Sequence, residues 1–456
     1  MPYQQNLDLD GSLPFGSYRT LTDKQFDPKR TCLLTAGLSF WNVVKDKNAI
    51  DTQLAIQNAQ KLIDSGLTTF QLNIPPCDLV NKPQGSFQSG METNAEQGWV
   101  EQNIYHKLVR ETPPSVLALC NLGTKISVPY WDYEGNIGNG SMVRQKVGES
   151  ILNIHGNAGG CIDSIQVDFR AGRKNTSTSP ETEHKQSSSS STSPYTFDVL
   201  DTLFDMQREG LIRSIHGVNF PSAALEEIGK VGFHFDTNQV SCDLLNPNDY
   251  FGSRGMQKFC RDSERDDGKG KGNGKPMKVV MSSPLAGGLL TNKYSEIPDQ
   301  YRNRSGEPPP EYMSSSEEWH YNKSLKGTWR VNYGEKEGQI IERNRAWRQY
   351  EQHVMRTMYE ISLKHRVDIA SVALRWAMQQ DHVGSISVGS SLNTRFGEEV
   401  PFTRPRDLRK AFSLHLDDDD MERLLRISGA KLQSSYQDEW GNEYEKIDLS
   451  NKQLWL

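Results

Sequence analysis

The chain has 456 residues, with 52 basic and 58 acidic side chains and a formal net charge of −6, a balance that gives no support for nucleic-acid binding. No run of about 18 apolar residues occurs, which argues against a membrane-spanning helix. The acidic, polar start MPYQQNLDLDG lacks a secretory signal, so we expect an intracellular protein of the cytoplasm or of an organelle, without a membrane partner.

Short β-branched apolar runs alternate with segments of helical period along most of the chain. Strands are predicted at Thr31–Leu38, Thr68–Asn73, Val116–Leu122, Ser164–Phe169, Ile212–Phe220, Thr237–Leu245, Lys278–Leu285 and Gly384–Ser390. Helices are predicted between and after them, at Ala49–Gly66, Asn94–Glu111, Met142–His155, Phe197–Gly210, Ser222–Val231, Met256–Glu264, Arg343–Gln380 and Arg406–Ser428. Such alternation produces right-handed βαβ units and a parallel sheet. Eight units favour an α/β fold of the closed (β/α)8 TIM-barrel type, with an open doubly wound sheet as the alternative.

The barrel is predicted to occupy residues 31–430, between an N-terminal extension (1–30) and a C-terminal tail (431–456). Loop insertions are predicted at about 170–195, 262–276, 296–339 and 392–405. The first is a Ser/Thr/Pro tract that cannot bury enough apolar surface to become ordered. The third follows strand seven and contains Trp319 and Trp329, so we expect it to be ordered over the barrel mouth, where barrels bind ligands.

Several polar or cysteine-containing segments have a structural interpretation. The six cysteines form no C-x-x-C pair, and the ten histidines show no ligand spacing, so no metal site is predicted. The segment GKGKGNGK lacks the spacing of a phosphate loop. The run Asp417–Asp420 precedes an amphipathic segment and is interpreted as the acidic start of a helix.

Two strand ends carry glycine and serine. Ser282–Leu290 reads SSPLAGGLL and Ser385–Ser391 reads SISVGSS. Glycine lets main-chain amides approach an anion closely, and the ends of strands seven and eight are the usual phosphate site of a barrel. Two ordinary glycine-rich turns are the alternative interpretation.

These segments resemble the aldo-keto reductase superfamily. SPLAGGLLTNKY, from Ser283 to Tyr294, is similar to the strand-seven motif of that family, and HGVNF and NQVSCDLLN are similar to its strand-five and strand-six motifs. The resemblance extends in order over about residues 30–430. It implies a (β/α)8 barrel that holds NADP(H) across its C-terminal face.

The resemblance also implies which residues bind the cofactor. Asn219 and Gln239 match the side chains that bind the nicotinamide carboxamide, and Cys242 stands where the family has an aromatic residue that stacks on the ring. The positions that match the phosphate contacts are Ser283, Leu285, Gly288, Gly389, Ser390 and Ser391. Arg395, in an inserted loop after strand eight, could pair with a 2′-phosphate because a guanidinium group suits phosphate geometry. Because Cys242 has no aromatic face, we expect NADP(H) to bind more weakly than in an intact member.

The family's catalytic residues are replaced at the aligned positions. Gln71 aligns with the aspartate, Pro76 with the tyrosine acid, Asn121 with the lysine and Asp168 with the histidine. A carbonyl that accepts hydride needs a proton donor at its oxygen, and proline and asparagine cannot take over these roles.

Three functions remain open at this point. The first is an NADP(H)-binding barrel that has lost catalysis and serves binding or redox sensing. The second is an active oxidoreductase with a different proton donor, such as Asp168. The third is a structural or interaction protein with an occluded groove. The small-molecule ligand and any protein partner are not indicated.

Overall fold

The structure is a computed structural model, and it describes residues 33–38, 52–64, 69–73, 104–118, 120–129, 140–155, 160–170, 194–251, 255–265, 277–295, 317, 320, 321, 347, 350–390 and 410–428. The N-terminal extension, the C-terminal tail and most of the four predicted insertions lie outside these residues. None of the helices described is long and apolar enough to span a membrane.

Eight parallel strands form a closed barrel in which each strand pairs with the next and β8 pairs with β1. The strands are β1 Leu33–Leu38, β2 Thr69–Asn73, β3 Asn121–Pro129, β4 Ile162–Arg170, β5 Ile212–Val218, β6 Thr237–Ser241, β7 Lys278–Ser282 and β8 Val383–Ser390. The prediction of a closed (β/α)8 barrel is therefore confirmed, and the open sheet is excluded.

Helices connect the strands. Their bounds are Thr52–Asp64, Pro114–Leu117, Gly140–His155, Pro194–Arg208, Ser222–Lys230, Asn248–Phe251, Met256–Arg265, Arg356–His365, Ile369–Met378 and Asp418–Ile427, with a π-helix at Tyr350–Met355; residues 104–111 are also helical. Asp417 caps the last helix: its side chain accepts a hydrogen bond from the Asp420 amide, while the Asp420 side chain accepts one from the Asp417 amide. The acidic run is thus a helix start, as predicted.

The third strand begins five residues later than predicted. Pro114 occupies the first turn of the helix Pro114–Leu117, where its fixed φ suits the helix and its missing N–H costs nothing. The apolar run VLALC therefore begins as helix, and β3 starts only at Asn121. This shift changes which residue of β3 reaches the upper part of the barrel.

The predicted helix Arg343–Gln380 is divided. Arg366 adopts the left-handed conformation at the end of Arg356–His365, and Asp368 caps the start of Ile369–Met378 by accepting from the Ser371 amide. A left-handed residue followed by a capping aspartate ends one helix and begins another, although the helical period of the sequence continues.

Alternate residues of the strands form two layers of opposite character. The apolar set, including Phe70, Ile126, Ile165 and Val167, is buried in the core. The other set is polar and buried, and includes Gln71, Asn121, Gln166, Asp168, His216 and Gln239. Because side chains of a strand alternate between faces, and members of the polar set contact each other across strands, the polar set lies inside the barrel.

Candidate functional site

A lysine and an aspartate form an ion pair inside the barrel. The Nζ atom of Lys125 on β3 lies 3.2 Å from Oδ2 of Asp168 on β4, and the two side chains are only 13% and 5% exposed. Asp168 is two residues from the end of β4 and is in register with Val218, the last residue of β5. The pair therefore lies toward the C-terminal end of the strands, the end at which (β/α)8 enzymes carry their sites.

A second polar group lies two residues nearer the N-terminal end of the strands. The His216 ring is within hydrogen-bonding distance of Ser214 Oγ, at 2.9 Å, and of Thr237 Oγ1, at 3.0 Å. Burial lowers the pKa of His216, so the ring is held neutral. These contacts satisfy both ring nitrogens, which makes His216 a structural part of the barrel interior.

Asn219 follows β5 directly and lies beside Gln239, the middle residue of β6. Asn219 is exposed and left-handed, with φ of 56°, and its amide donates to the Gln239 carbonyl at 2.7 Å. The Gln239 side chain is 8% exposed, and its Oε1 atom has no hydrogen-bond partner among the described residues. A buried amide oxygen of this kind favours a ligand that offers an N–H or O–H group.

Cys242 does not lie in a position to contact a ligand ring. Its side chain is fully buried, and burial, with smaller contributions from Asp243 and Asp249, raises the pKa of its thiol well above the usual value. The expectation that Cys242 lines the nicotinamide pocket is therefore wrong, because a residue that stacks on a ligand must expose a face to the groove.

The turn after β7 is tight and hydrogen-bonded within itself. Ser283, Ala286, Gly287 and Gly288 have positive φ values of 60°, 49°, 69° and 125°. The Gly288 amide donates to the Leu285 carbonyl, and the Leu290 amide donates to the same carbonyl. These amides are engaged within the turn, so they do not point toward an external anion.

Two of the predicted phosphate contacts, Gly389 and Ser390, form the end of β8. Gly389 and Ser390 belong to the strand and pair with Gly37 and Leu38 of β1. Ser391 and Arg395 lie outside the described residues, so their predicted role at the adenosine phosphate stays a prediction.

Sequence comparison places most of this barrel in a known family. The aldo/keto reductase family matches residues 162–427, more than half of the chain. The chain belongs to this family. Among solved structures, a thermostable aldo-keto reductase in complex with the inhibitor epalrestat is 15% identical, with a TM-score of 0.47 over 87% of this chain and 94% of that one. An aldo/keto reductase from Brucella melitensis is 13% identical, with a TM-score of 0.45 over 87% of this chain and 93% of that one. No curated protein matches the sequence.

The geometry corrects one position of this aldo/keto reductase. Asn121 is the first residue of β3 and accepts a hydrogen bond from Ser164 Oγ, at the end of the barrel away from Asp168. Lys125, four residues later on the same face, is the lysine that reaches Asp168. The alignment of Asn121 with the family's lysine is wrong, because the predicted strand began too early. The alternation of Leu122, Thr124 and Ile126 around Lys125 was the signal that could have located it.

Gln71 and Pro76 are the two aligned positions of the strand-two motif, and only Gln71 belongs to the described residues. Gln71 is buried in β2 and is in register with Gly123 of β3 and Gly37 of β1. Pro76 lies outside the described residues, so its place relative to the ion pair stays a prediction.

Two buried tyrosines near β6 and β7 are committed to main-chain partners. The Tyr250 hydroxyl donates to the Asp381 carbonyl, and the Tyr350 hydroxyl donates to the Leu289 carbonyl. Burial raises the pKa of both hydroxyls. Neither hydroxyl is therefore available to donate a proton to a ligand inside the barrel.

Proposed function

We propose that this aldo/keto reductase binds a nicotinamide dinucleotide at the barrel mouth and does not reduce carbonyl compounds by the usual chemistry of the family. The single observation that carries the proposal is the ion pair between Lys125 and Asp168. In the family the lysine is paired with the carboxylate of the strand-two motif and tunes a tyrosine. In this chain Gln71 replaces that carboxylate, and the lysine is paired instead with a carboxylate at the histidine position.

The exchange of partners changes what the site can do. A neutral histidine can donate a hydrogen bond to a substrate oxygen, whereas the carboxylate of an ion pair carries negative charge and repels a developing alkoxide. Asp168, paired at 3.2 Å with an ammonium group, is therefore a poor candidate for the replacement acid. Loss of a general acid typically removes about 10²–10⁴-fold in rate.

The nicotinamide end of the groove suits the cofactor. Asn219 presents an exposed amide side chain at the end of β5, and the buried Oε1 atom of Gln239 has no partner among the described residues. These two side chains would hold the carboxamide. When bound, NADPH would supply a hydride to an acceptor.

A second candidate is an active oxidoreductase in which Lys125 supplies the proton. It is favoured by the place of the ammonium group, which lies inside the barrel near its C-terminal end and is 13% exposed. An ammonium can both stabilise an alkoxide and donate a proton to it. In this candidate the proton donor is Lys125, and not its partner Asp168.

The test combines a fluorescence titration of NADPH with an assay of NADPH oxidation against a panel of aldehydes. We expect saturable binding and no turnover above background, both in the natural protein and in Lys125→Met. Lys125→Arg is the matched control, because it keeps the positive charge beside Asp168. Turnover that is lost in Lys125→Met would establish the second candidate, and an absence of saturable binding up to millimolar NADPH would contradict the proposed function.

A further inference from the structure

The register of the eight strands places four polar side chains at one level inside the barrel. In a (β/α)8 barrel the tilt of the strands shifts the level by about one residue from each strand to the next, so one layer takes its side chains from alternate strands. Following the registers of this barrel gives a layer made of Gln71 on β2, Gln166 on β4, Gln239 on β6 and Ser387 on β8. All four residues are buried, and they form what we term the glutamine layer.

The composition of the glutamine layer is unusual for the interior of a barrel. Such layers are normally built from bulky branched Val, Ile and Leu side chains, which fill the interior by packing. Here three carboxamides and one hydroxyl take their place. Because a buried polar group destabilises the fold unless it is hydrogen-bonded, the partners of these groups decide whether the layer is structural or binds a ligand.

Two amide oxygens of the glutamine layer have no hydrogen-bond partner among the described residues. They are the Oε1 atoms of Gln166 and Gln239, and both atoms are buried. The proposed function assigns Gln239 to the carboxamide of the dinucleotide, and it gives Gln166 no role. An unpaired acceptor in the interior carries the full desolvation penalty of its group. A ligand that donates a hydrogen bond to Gln166 removes that penalty.

The residue beside Gln166 has the opposite hydrogen-bonding character. Lys125 is in register with Gln166 on the adjacent strand β3, and neighbouring strands lie about 4.8 Å apart. An ammonium group has three N–H donors, so the ion pair with Asp168 at 3.2 Å does not by itself exhaust them. A hydrogen-bond donor and an acceptor therefore stand next to each other on the inner wall of the barrel.

The level above the glutamine layer gives access from the mouth. The register partners of the layer on the preceding strands form this level, and they are Gly37, Lys125, Val218 and Ser282. Glycine has no side chain and serine has a small one, while the 13% exposure of Lys125 shows that solvent reaches this level. The terminal amide of a glutamine turns about a broad torsion. Gln166 can thus turn its oxygen toward the mouth without movement of β4.

We propose that Gln166 and Lys125 bind a primary carboxamide group of a small neutral ligand. Gln166 Oε1 accepts a hydrogen bond from the N–H group of the ligand, and Lys125 donates one to its carbonyl oxygen. A carboxamide carries both groups side by side, and the ion pair with Asp168 offsets the charge of Lys125, which favours a neutral ligand. A ketone or aldehyde has no N–H group, so it leaves Gln166 unpaired, and a site of this kind discriminates against such a ligand. The inference goes beyond the proposed function, because this ligand is a second molecule beside the dinucleotide.

The experiment measures the binding of acetamide to the natural protein and to Gln166→Met by saturation-transfer NMR titration. Methionine keeps the length of the side chain and removes its acceptor. We expect Gln166→Met to bind acetamide about three- to tenfold more weakly, the range for one neutral hydrogen bond, and to bind NADPH as the natural protein does. The control is Gln145→Met, which removes a glutamine that donates to Glu149 on an exposed helix surface and should leave acetamide binding unchanged.

A second probe tests the hydrogen-bond donor of the ligand and needs no variant. Acetone has nearly the shape of acetamide and keeps its carbonyl, but a methyl group replaces the amino group. We expect the natural protein to bind acetamide about three- to tenfold more tightly than acetone. If Gln166→Met does not fold, this comparison decides the inference alone, and acetone that binds as tightly as acetamide would overturn it.

The remaining outcomes separate this inference from the proposed function. An absence of saturable acetamide binding, or an affinity of Gln166→Met for acetamide within about twofold of the natural value, would overturn the inference. An equal loss of NADPH and acetamide affinity in Gln166→Met would assign Gln166 to the dinucleotide and overturn it as well. Acetamide binding that depends on Gln166, with no NADPH binding in either protein, would support the inference and contradict the proposed function.

Discussion

Removal of one charge from the Lys125–Asp168 pair should destabilise the barrel strongly. At 3.2 Å and an effective dielectric constant of about 20, the attraction between the two charges is about 5 kcal/mol. Much of this offsets the cost of desolvating both groups, so the net value of the pair is much smaller. Loss of one partner leaves the other charge buried, which typically costs about 3–5 kcal/mol.

The 13% exposure of Lys125 lets water partly solvate an ammonium without its carboxylate. We therefore expect Asp168→Asn to lower the free energy of unfolding by about 2–3 kcal/mol, somewhat less than for a fully buried pair. The double variant Lys125→Met/Asp168→Leu removes both charges together and should recover most of this loss. Urea unfolding followed by circular dichroism, at constant pH and salt, measures the natural protein, the single variants and the double variant.

The coupling energy between the two positions tests whether the charges act as a pair. Two results would refute the reasoning. One is a free energy of unfolding of Asp168→Asn within about 0.5 kcal/mol of the natural value, since independent sites add to within ~0.3–0.5 kcal/mol. The other is a double variant whose loss of stability equals the sum of the losses in the two single variants. Either result would mean that the two charges are solvated and do not act as a pair.

Two further predictions concern buried titratable groups. Burial lowers the pKa of His216 below its usual 6.5. Below about pH 6.5 the unfolded chain therefore binds a proton at this residue more readily than the folded chain does. The contribution of neutral His216 to the free energy of unfolding is therefore complete above about pH 6.5 and falls by up to ~1.4 kcal/mol per pH unit below it. In urea unfolding, the stability of His216→Gln should decrease less between about pH 6.5 and 5 than that of the natural protein. An equal decrease in both proteins would contradict the assignment. Burial raises the pKa of Cys120 to about 12 and that of Cys242 well above its usual range, so iodoacetamide should label the half-buried Cys161 before either of them. Peptide mass spectrometry measures the order, and early labelling of Cys242 would contradict its burial.

Much of the barrel could be predicted from the sequence, because each βα unit has a local signature. Alternating apolar runs, glycine-rich strand ends and the acidic helix start at Asp417 depend on neighbours in the chain, and the structure has eight strands in the predicted order. The predicted element boundaries were wrong where two local signals favoured different structures. Pro114 turned an apolar run into helix and moved the start of β3 to Asn121.

The composition of the site depended on contacts between distant segments. Asn219 and Gln239 were identified from motifs, and the structure brings their main chains together beside the end of β5. Their binding of a carboxamide stays a prediction. Cys242 was assigned to the groove because sequence order does not show on which side of the barrel a residue beyond a strand end is buried.

The sequence by itself determined the family, the order of the strands and the glycine-rich turn at Gly288. Only the tertiary structure decided that Lys125 has Asp168 as its partner and that Gln166 lies beside Lys125 inside the barrel. The reason is physical: strand register sets which side chains share a level of the barrel. Register is not encoded in the spacing of residues along the chain.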